Sequence, residues 1–349
     1  MLHKRRRLPV IFLKNIIAFS LAGLMLPPVF AEKISSQQTE PVMEEPQHFV
    51  DVSVLSVWSD PEAPREMDAP ALTNPVEPWE WTESMSAEQK RGLLGNLDTQ
   101  ALYGMEVEVL EEGGEWAKIA VEEQDTPLHE AGYPGWVPKE QITESPRFEA
   151  LQQQSMASVT APTTYLYDER SLHTESLEIS FNTRLPVVFK NEDKVLVATP
   201  SDGNKWASRD DLVIYEKEED IPAPDREDLV ETAASFMDLP YLWAGVSGFG
   251  FDCSGFTHTI FKAHGINIPR DSKDQARQGT SVERENLQAG DLVFFARNGG
   301  TGEVHHVGMY IGNGRMIHSP NSDSTVEKVM ISESDYAGSY NSARRYVQE

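Results

Sequence analysis

The sequence predicts an α+β protein in which two small β-barrels of similar build precede a larger α+β domain. A chain of 349 residues is too long for one ordinary domain, so two or three are expected. One pattern occurs twice: two strands joined by a polar turn, followed by a strand that carries tryptophan. Near residues 216–225 the composition changes to charges and prolines, after which helical patterns and then strand patterns follow to the end of the chain.

Residues 1–31 have the pattern of a secretory signal peptide. A basic segment at residues 4–7 precedes an apolar core at residues 16–26, and Val29-Phe30-Ala31 forms a cleavage site. The alternative is an uncleaved membrane anchor, but the apolar run is short against the ~20 residues that a spanning helix needs. We therefore expect an exported protein, periplasmic or extracellular, in which residues 32–47 form a polar linker.

The composition narrows the possible partners. The formal net charge is −26 and becomes about −31 without residues 1–31, which contain five Lys or Arg and no Asp or Glu. Such a surface repels polyanions, so we expect no binding to nucleic acid through bulk charge. Later stretches are not apolar enough to span a membrane, and no obligate protein partner is indicated. Neither a metal-binding set of Cys and His nor a phosphate-binding loop is found, so no metal or cofactor is expected.

The first barrel is expected at residues 48–145 and the second at residues 146–218. The first contains a predicted helical insertion at residues 86–97, with Ser86 as N-cap and Gln89 at position N3. The predicted strands are residues 105–110, 116–121 and 135–138 in the first barrel, and residues 185–189, 194–198 and 204–207 in the second. Both resemble bacterial SH3-like domains, which are commonly attached to cell-wall enzymes.

Cys253 is the one cysteine of the chain, so an intramolecular disulfide is impossible. Its thiol is either a buried, inert group or one kept for chemistry. It follows a glycine-rich loop and precedes a predicted helix that starts at Ser254. The positive end of a helix stabilises a thiolate, so we expect a lowered thiol pKa, and the neighbouring backbone N–H groups could form an oxyanion hole.

A nucleophilic thiol needs an imidazole that accepts its proton and later protonates the leaving amine. His306 and His318 lie in two predicted strands joined by a turn at Asn313-Gly314, which is a strong hairpin signal. In an antiparallel pair the two imidazoles can lie side by side. His306 would then be the base and His318 the residue that orients it.

Five motifs in the last domain occur in the order found in the NlpC family of papain-like cysteine peptidases of peptidoglycan, which this domain resembles throughout residues 219–349. They are Tyr241-Leu242-Trp243-Ala244-Gly245, Asp252-Cys253-Ser254-Gly255-Phe256, Pro269-Arg270-Asp271-Ser272, Gly290-Asp291-Leu292-Val293-Phe294-Phe295 and His306-Val307-Gly308-Met309-Tyr310. The resemblance implies a papain-like fold with Cys253 as nucleophile, His306 as base, His318 as third polar residue and Tyr241 at the oxyanion site. Ala244 departs from the family, which often has glycine there.

The resemblance extends into the first barrel. Residues 70–75, 98–104 and 132–136 are similar to the YkfC-type γ-D-glutamyl-L-diamino acid endopeptidases, which share two SH3-like domains before the peptidase. Those enzymes take short wall peptides with a free N-terminal L-alanine and cut after D-glutamate. Their first barrel narrows the cleft against glycan-linked peptides. The resemblance therefore implies a role in recycling cell-wall peptides.

The same resemblance implies the residues that hold the substrate. Asp271, supported by Ser272, matches the carboxylate that binds the free ammonium, and Tyr133 matches the residue that closes over the alanine. Asp98 stands where this subfamily usually has glutamate. The remaining implied contacts are a wall from Trp243 and contacts to the D-glutamyl unit from Asp252 and Ser254.

Other interpretations of the function and of two residues stay open at this point. An endopeptidase of intact peptidoglycan could use its SH3-like domains as wall anchors, and an inactive peptidase domain could serve as a wall-binding module. Without the resemblance, Tyr133 would be interpreted as barrel core and Asp271 as a helix cap.

Overall fold

The structure is a computed structural model, and we describe residues 46–347 of it. The predicted signal peptide and all but the last two residues of the predicted linker lie outside the described residues. Within residues 46–347, no helix combines the length and the apolar character needed to cross a membrane.

The first barrel is a seven-stranded sheet with the order β3-β2-β6-β5-β4-β1-β7. Its strands are β1 (His48–Val50), β2 (Val54–Trp58), β3 (Leu97–Leu102), β4 (Glu106–Gly113), β5 (Trp116–Val121), β6 (Tyr133–Pro138) and β7 (Ile142–Glu144). Strand β2 is buried along its whole length, and its neighbours in the sheet enclose the apolar core around it.

A helical insertion lies between β2 and β3. It contains a 3₁₀ helix (Glu66–Ala71), α1 (Pro78–Ser84) and α2 (Ala87–Arg91). The predicted capping box is confirmed, because Ser86 accepts from the Gln89 backbone and Gln89 reaches back to the Ser86 backbone. The predicted extent, residues 86–97, is wrong. The helix ends at Arg91, the chain turns through Gly95 at φ 81°, and Leu97 already begins β3.

The second barrel has the strand order β10-β9-β13-β12-β11-β8-β14, which is the order of the first barrel advanced by seven strands. Its strands are β8 (Met156–Val159), β9 (Thr163–Tyr167), β10 (Glu175–Ser180), β11 (Arg184–Lys190), β12 (Lys194–Ala198), β13 (Asn204–Ser208) and β14 (Leu212–Tyr215), and helix α3 (Pro146–Leu151) precedes them. The repeat seen in the sequence is therefore a repeat of topology. The tryptophan-bearing strands β6 and β13 occupy equivalent positions, as predicted.

The last domain packs helices against a six-stranded sheet with the order β17-β22-β18-β19-β20-β21. Its elements are α4 (Arg226–Ala234), β15 (Val246–Ser247), β16 (Gly250–Phe251), α5 (Cys253–Ala263), α6 (Ser272–Gln275), β17 (Thr280–Ser281), β18 (Leu292–Ala296), β19 (Val304–Gly312), β20 (Arg315–His318), β21 (Glu327–Met330) and β22 (Tyr340–Arg345). The α+β class is confirmed. Helix α5 buries Phe256 and Ile260 against the sheet, so its first residue faces β19 from a fixed position.

The first barrel is attached to the last domain by apolar and polar contacts. Val246 and Phe249 from the last domain join the core of the barrel. The indole Nε1 of Trp243 donates to the carbonyl of Leu97 at 2.8 Å. These contacts hold the start of β3 beside the loop that precedes α5, where the candidate site lies.

Candidate active site

A cleft of about 580 Å³ lies between the first barrel and the last domain. Every predicted site residue except His318 lines it: Asp98, Tyr133, Tyr241, Trp243, Asp252, Cys253, Ser254, Asp271, Ser272 and His306. A larger cavity of about 770 Å³ lies elsewhere, beside β8 and residues 215–221, and has no Cys or His in its lining. The chemistry-bearing side chains therefore belong to the smaller cleft.

Cys253 is half-buried at the first position of α5. The helix begins there because Asp252 is its N-cap and accepts the Gly255 N–H at 2.6 Å. The sequence predicted a lowered thiol pKa, and this is wrong. Burial and then the Asp252 carboxylate raise the pKa of Cys253 to about 12, outweighing the backbone N–H groups of Val307 and Ser254 that lower it. The thiol is therefore protonated at neutral pH.

The two imidazoles lie side by side at the end of the β19–β20 hairpin. Asn313 and Gly314 turn the chain at φ 52° and 71°, as predicted from the sequence. A hydrogen bond of 2.7 Å joins Nε2 of His306 to Nδ1 of His318. His306 lines the cleft and His318 lies behind it. Burial lowers the pKa of both rings, so both are neutral at neutral pH.

The thiol and the imidazole face one cleft without touching. Among the described residues, no hydrogen bond joins Cys253 to His306. In ligand-free enzymes such bonds are often long and shorten only when substrate binds. Since Nε2 of His306 is engaged by His318, Nδ1 is the nitrogen left for the thiol.

Tyr336 completes the surroundings of His306, and sequence reasoning missed it. Its ring stacks on His306 with a centroid separation of 3.9 Å and an interplanar angle of 8°. Its hydroxyl donates to the carbonyl of Pro320 at 2.9 Å. No motif marks Tyr336 in the sequence, because stacking across a fold leaves no pattern of spacing. The ring holds the plane of the imidazole and covers one of its faces.

Tyr241 lies beside the thiol. The side chain is buried, and burial, followed by the proximity of Cys253, raises its pKa well above the usual value. The hydroxyl therefore stays protonated at neutral pH and is available as a hydrogen-bond donor near Cys253.

The end of the cleft toward the first barrel is rich in carboxylates. The Tyr133 hydroxyl donates to Oδ2 of Asp271 at 3.4 Å, which joins β6 of the barrel to the loop before α6. Burial raises the pKa of Asp98, and its second cause is the charge of Asp271. Lys273 lies 3.7 Å from the Asp271 carboxylate. Two neighbouring carboxylates and a hydroxyl form a pocket that favours a bound cation.

Arg270 is a buried residue to which the sequence analysis gave no role. Its guanidinium donates to both carboxylate oxygens of Asp252, at 3.2 and 2.8 Å, and to the hydroxyls of Ser254 and Thr99, at 3.1 and 2.9 Å. The Asp252 carboxylate thus caps α5 and pairs with Arg270. Its contact with a D-glutamyl unit stays a prediction. The hydroxyls of Ser254 and Ser272 line the cleft beside it.

Ala244, which departs from the family pattern, has φ 63°. This left-handed conformation is one that glycine adopts without steric cost and other residues rarely adopt. The backbone conformation thus accounts for the glycine that the family often has there. In residues 46–347, no group of three or more His, Cys, Asp or Glu side chains is placed to hold a metal ion.

Three family models match separate parts of the chain. The NlpC/P60 family matches residues 238–345. The YKFC SH3b2 domain matches residues 159–215, and the bacterial dipeptidyl-peptidase Sh3 domain matches residues 95–142. The three matches fall on the last domain, the second barrel and the first barrel, in that order.

Curated relatives cover most of the chain. A γ-D-glutamyl-L-lysine dipeptidyl-peptidase of Bacillus cereus is 47% identical over 301 residues, which are 86% of this chain and 90% of that protein. A protein of the same name from Bacillus subtilis is 37% identical over 304 residues, 86% of this chain and 99% of that protein. The crystal structure of an NlpC/P60 family protein from Bacillus cereus, 46% identical, superposes with a TM-score of 0.84 over 86% of this chain and 100% of that one.

Proposed function

The chain belongs to the NlpC/P60 family and is a cysteine peptidase, and from this premise we propose that it cleaves the γ-D-Glu–diamino acid bond of short peptidoglycan peptides that have a free N-terminal L-alanine. The relatives are named dipeptidyl-peptidases. Removing an N-terminal dipeptide requires a site that recognises a free ammonium at a fixed distance from the nucleophile. The product would be L-Ala-γ-D-Glu together with the rest of the peptide, which fits a role in recycling cell-wall peptides.

The proposed chemistry uses Cys253, His306, His318 and Tyr241. On substrate binding the thiol proton moves to Nδ1 of His306, and the sulfur attacks the γ-carbonyl of D-glutamate. The oxyanion receives hydrogen bonds from the Tyr241 hydroxyl and from backbone N–H groups at the start of α5. His306 then returns the proton to the leaving amine, and water hydrolyses the thioester. His318 holds the His306 ring through the 2.7 Å hydrogen bond.

One observation carries the proposed selectivity: Tyr133 of the first barrel and Asp271 of the last domain meet at 3.4 Å, with Asp98 beside them, at one end of the cleft. Carboxylates at a closed end favour an ammonium. A substrate whose alanine is acylated by a sugar has no ammonium and also needs space that the barrel occupies. The proposed role of Asp271 and Asp98 is therefore to bind the free N-terminus. Ser254, Ser272 and Trp243 complete the proposed contacts with the dipeptide.

We also propose that the protein is exported, periplasmic or extracellular, on the strength of the signal-peptide pattern of residues 1–31. Purification from the producing cell and sequencing of the N-terminus would test this. The expected result is a mature protein that begins at Glu32. A protein recovered from the cytosol with its first residues intact would contradict export.

The function is tested by offering the purified protein two substrates: the tripeptide L-Ala-γ-D-Glu-diamino acid and intact peptidoglycan sacculi. We expect rapid release of the diamino acid from the tripeptide, little release of peptides from sacculi, and no hydrolysis by Cys253→Ala. Hydrolysis of sacculi with the tripeptide untouched would favour a wall endopeptidase instead. Hydrolysis of neither would favour a wall-binding module.

A further inference from the structure

The Cys253–His306 pair imposes a proton arrangement on His318, and this part of the inference follows from the proposed function. A neutral His306 that accepts a proton at Nδ1 must carry its own proton on Nε2. That Nε2–H donates to Nδ1 of His318 across the 2.7 Å hydrogen bond. His318 is neutral because burial lowers its pKa to about 4. Its single ring proton must then lie on Nε2.

The Nε2 atom of His318 is buried and has no hydrogen-bond partner in the described part of the chain. An unmatched buried N–H is costly, so such a group usually has an acceptor within reach. One carboxylate is close: Oε1 of Glu327 lies 3.4 Å from this nitrogen, too poorly aligned to count as a hydrogen bond.

The sheet register places Glu327 at this position. Strands β20 and β21 are antiparallel, and His318 is paired directly with Glu327. Directly opposed residues of neighbouring strands have side chains in reach of each other. The Glu327 side chain is about half exposed, at 52%, and is free to rotate by the small amount that would align its oxygen with the imidazole.

We propose that Glu327 is a positioning residue for the catalytic pair, at the end of a chain that runs from Cys253 through His306 and His318. Its carboxylate accepts the Nε2–H of His318, fixes that tautomer, and so keeps Nδ1 of His318 as the acceptor that orients His306. When His306 takes up the thiol proton, the negative charge also stabilises the imidazolium through the chain. This is the task that the carboxylate performs directly in a Ser-His-Asp triad, here performed one imidazole further away.

The first test needs no substrate. In the full-length protein with ¹⁵N-labelled histidine, NMR correlations between ring protons and nitrogens report the tautomer of each imidazole. We expect His318 as the Nε2–H tautomer in the unmodified protein and a mixture of tautomers in Glu327→Ala. Predominant Nδ1–H in the unmodified protein, or an unchanged spectrum in the variant, would overturn the proposal. Because no hydrolysis is measured, this result stands apart from the identity of the substrate.

The second test is kinetic. Glu327→Ala should lower kcat on the tripeptide about tenfold, the loss expected for one hydrogen bond of ordinary strength, with KM changed by less than about twofold. Glu327→Gln, whose amide oxygen can still accept, should recover part of that loss. Glu333→Gln removes an exposed carboxylate six residues further along the chain and should behave as the unmodified protein. Equal kcat for Glu327→Ala and the unmodified protein would refute the role, as would equal losses in Glu327→Ala and Glu333→Gln.

Discussion

The carboxylate of Asp271 provides the sharpest test of the proposed ammonium pocket. Asp271→Asn keeps the shape of the side chain and an oxygen that can accept from Tyr133, and removes only the charge. An ammonium 4 Å from a carboxylate gains ~4 kcal/mol at an effective dielectric constant of about 20. The net loss is smaller, because Lys273 at 3.7 Å already competes for Asp271 and the side chain is 25% exposed. We therefore expect a loss of about 2 kcal/mol, or ~30-fold in kcat/KM.

The assay follows release of the diamino acid from two tripeptides, one with a free and one with an N-acetylated alanine. For Asp271→Asn the free peptide should lose ~30-fold in kcat/KM, while the acetylated peptide, which has no ammonium, should change by less than about twofold. Asp210→Asn, an exposed change in the second barrel, is the control and should alter neither. Equal losses on both peptides would refute the reasoning, because they would show damage to the cleft and not loss of a charge partner.

The same substitution has an expected effect on stability. The folded protein raises the pKa of Asp271, mainly through burial, so ionisation of this carboxyl is less favourable folded than unfolded. Asp271 therefore contributes most to the free energy of unfolding at pH below 3.8, where the carboxyl is protonated in both the folded and the unfolded protein. This contribution is lost as the pH rises through the raised pKa of the folded protein. At neutral pH, Asp271→Asn should leave the free energy of unfolding in urea unchanged or slightly higher. A clear loss of stability would contradict this, because it would mean that other groups of the protein already stabilise the Asp271 carboxylate without a bound ammonium.

Further predictions concern single groups. Tyr133→Phe removes the hydroxyl that contacts Asp271 and should raise KM for the free tripeptide severalfold while leaving kcat nearly unchanged, measured by steady-state kinetics; an unchanged KM would exclude the hydroxyl from binding. Since the pKa of Cys253 is raised to about 12, the fraction of thiolate, and with it the rate of alkylation by iodoacetamide, should keep rising from pH 6 to pH 10. A rate that is constant from pH 6 upward would contradict this and indicate a preformed thiolate. Arg270→Ala leaves the Asp252 carboxylate without its buried partner and should lower the free energy of unfolding by roughly 3–5 kcal/mol, measured by urea titration; a loss below about 1 kcal/mol would contradict this.

Much of the fold could be predicted from the sequence, because the barrel pattern is repeated and the apolar residues recur with the period of a strand or a helix. The alternation in β4 and the Trp-bearing strands indicated two barrels of one plan, and the structure gives both the same strand order. The capping box predicted at Ser86 with Gln89 is confirmed by its two reciprocal hydrogen bonds. The length of α2 could not be predicted from the sequence. The leucines after Arg91 continue the apolar pattern of the helix, but in the structure they belong to a turn and to strand β3.

The site was readable only in part. Cys253, His306 and His318 could be predicted because a thiol and imidazoles are residue types typical of nucleophilic catalysis. The turn at Asn313-Gly314 sets the strand register that brings the two imidazoles together. Arg270, Tyr336 and Glu327 are different. Each meets its partner only when the strands and loops of the last domain are packed together, and neither residue type nor spacing in the sequence indicates these contacts. The direction in which the pKa of Cys253 shifts could not be predicted from the sequence either. The helix start, which lowers the pKa, could be predicted, but the burial of the thiol, which raises the pKa by more, could not.

The central claim is that the cleft selects peptides by a free N-terminal ammonium held between the first barrel and the peptidase domain. The most direct measurement compares kcat/KM of the unmodified protein for L-Ala-γ-D-Glu-diamino acid and for its N-acetylated form. Loss of the ammonium leaves the pocket carboxylates without their partner, so the acetylated peptide should be cleaved at least ~10- to 100-fold less efficiently. Equal efficiencies would contradict the account and would remove Asp271, Asp98 and Tyr133 from the determinants of specificity.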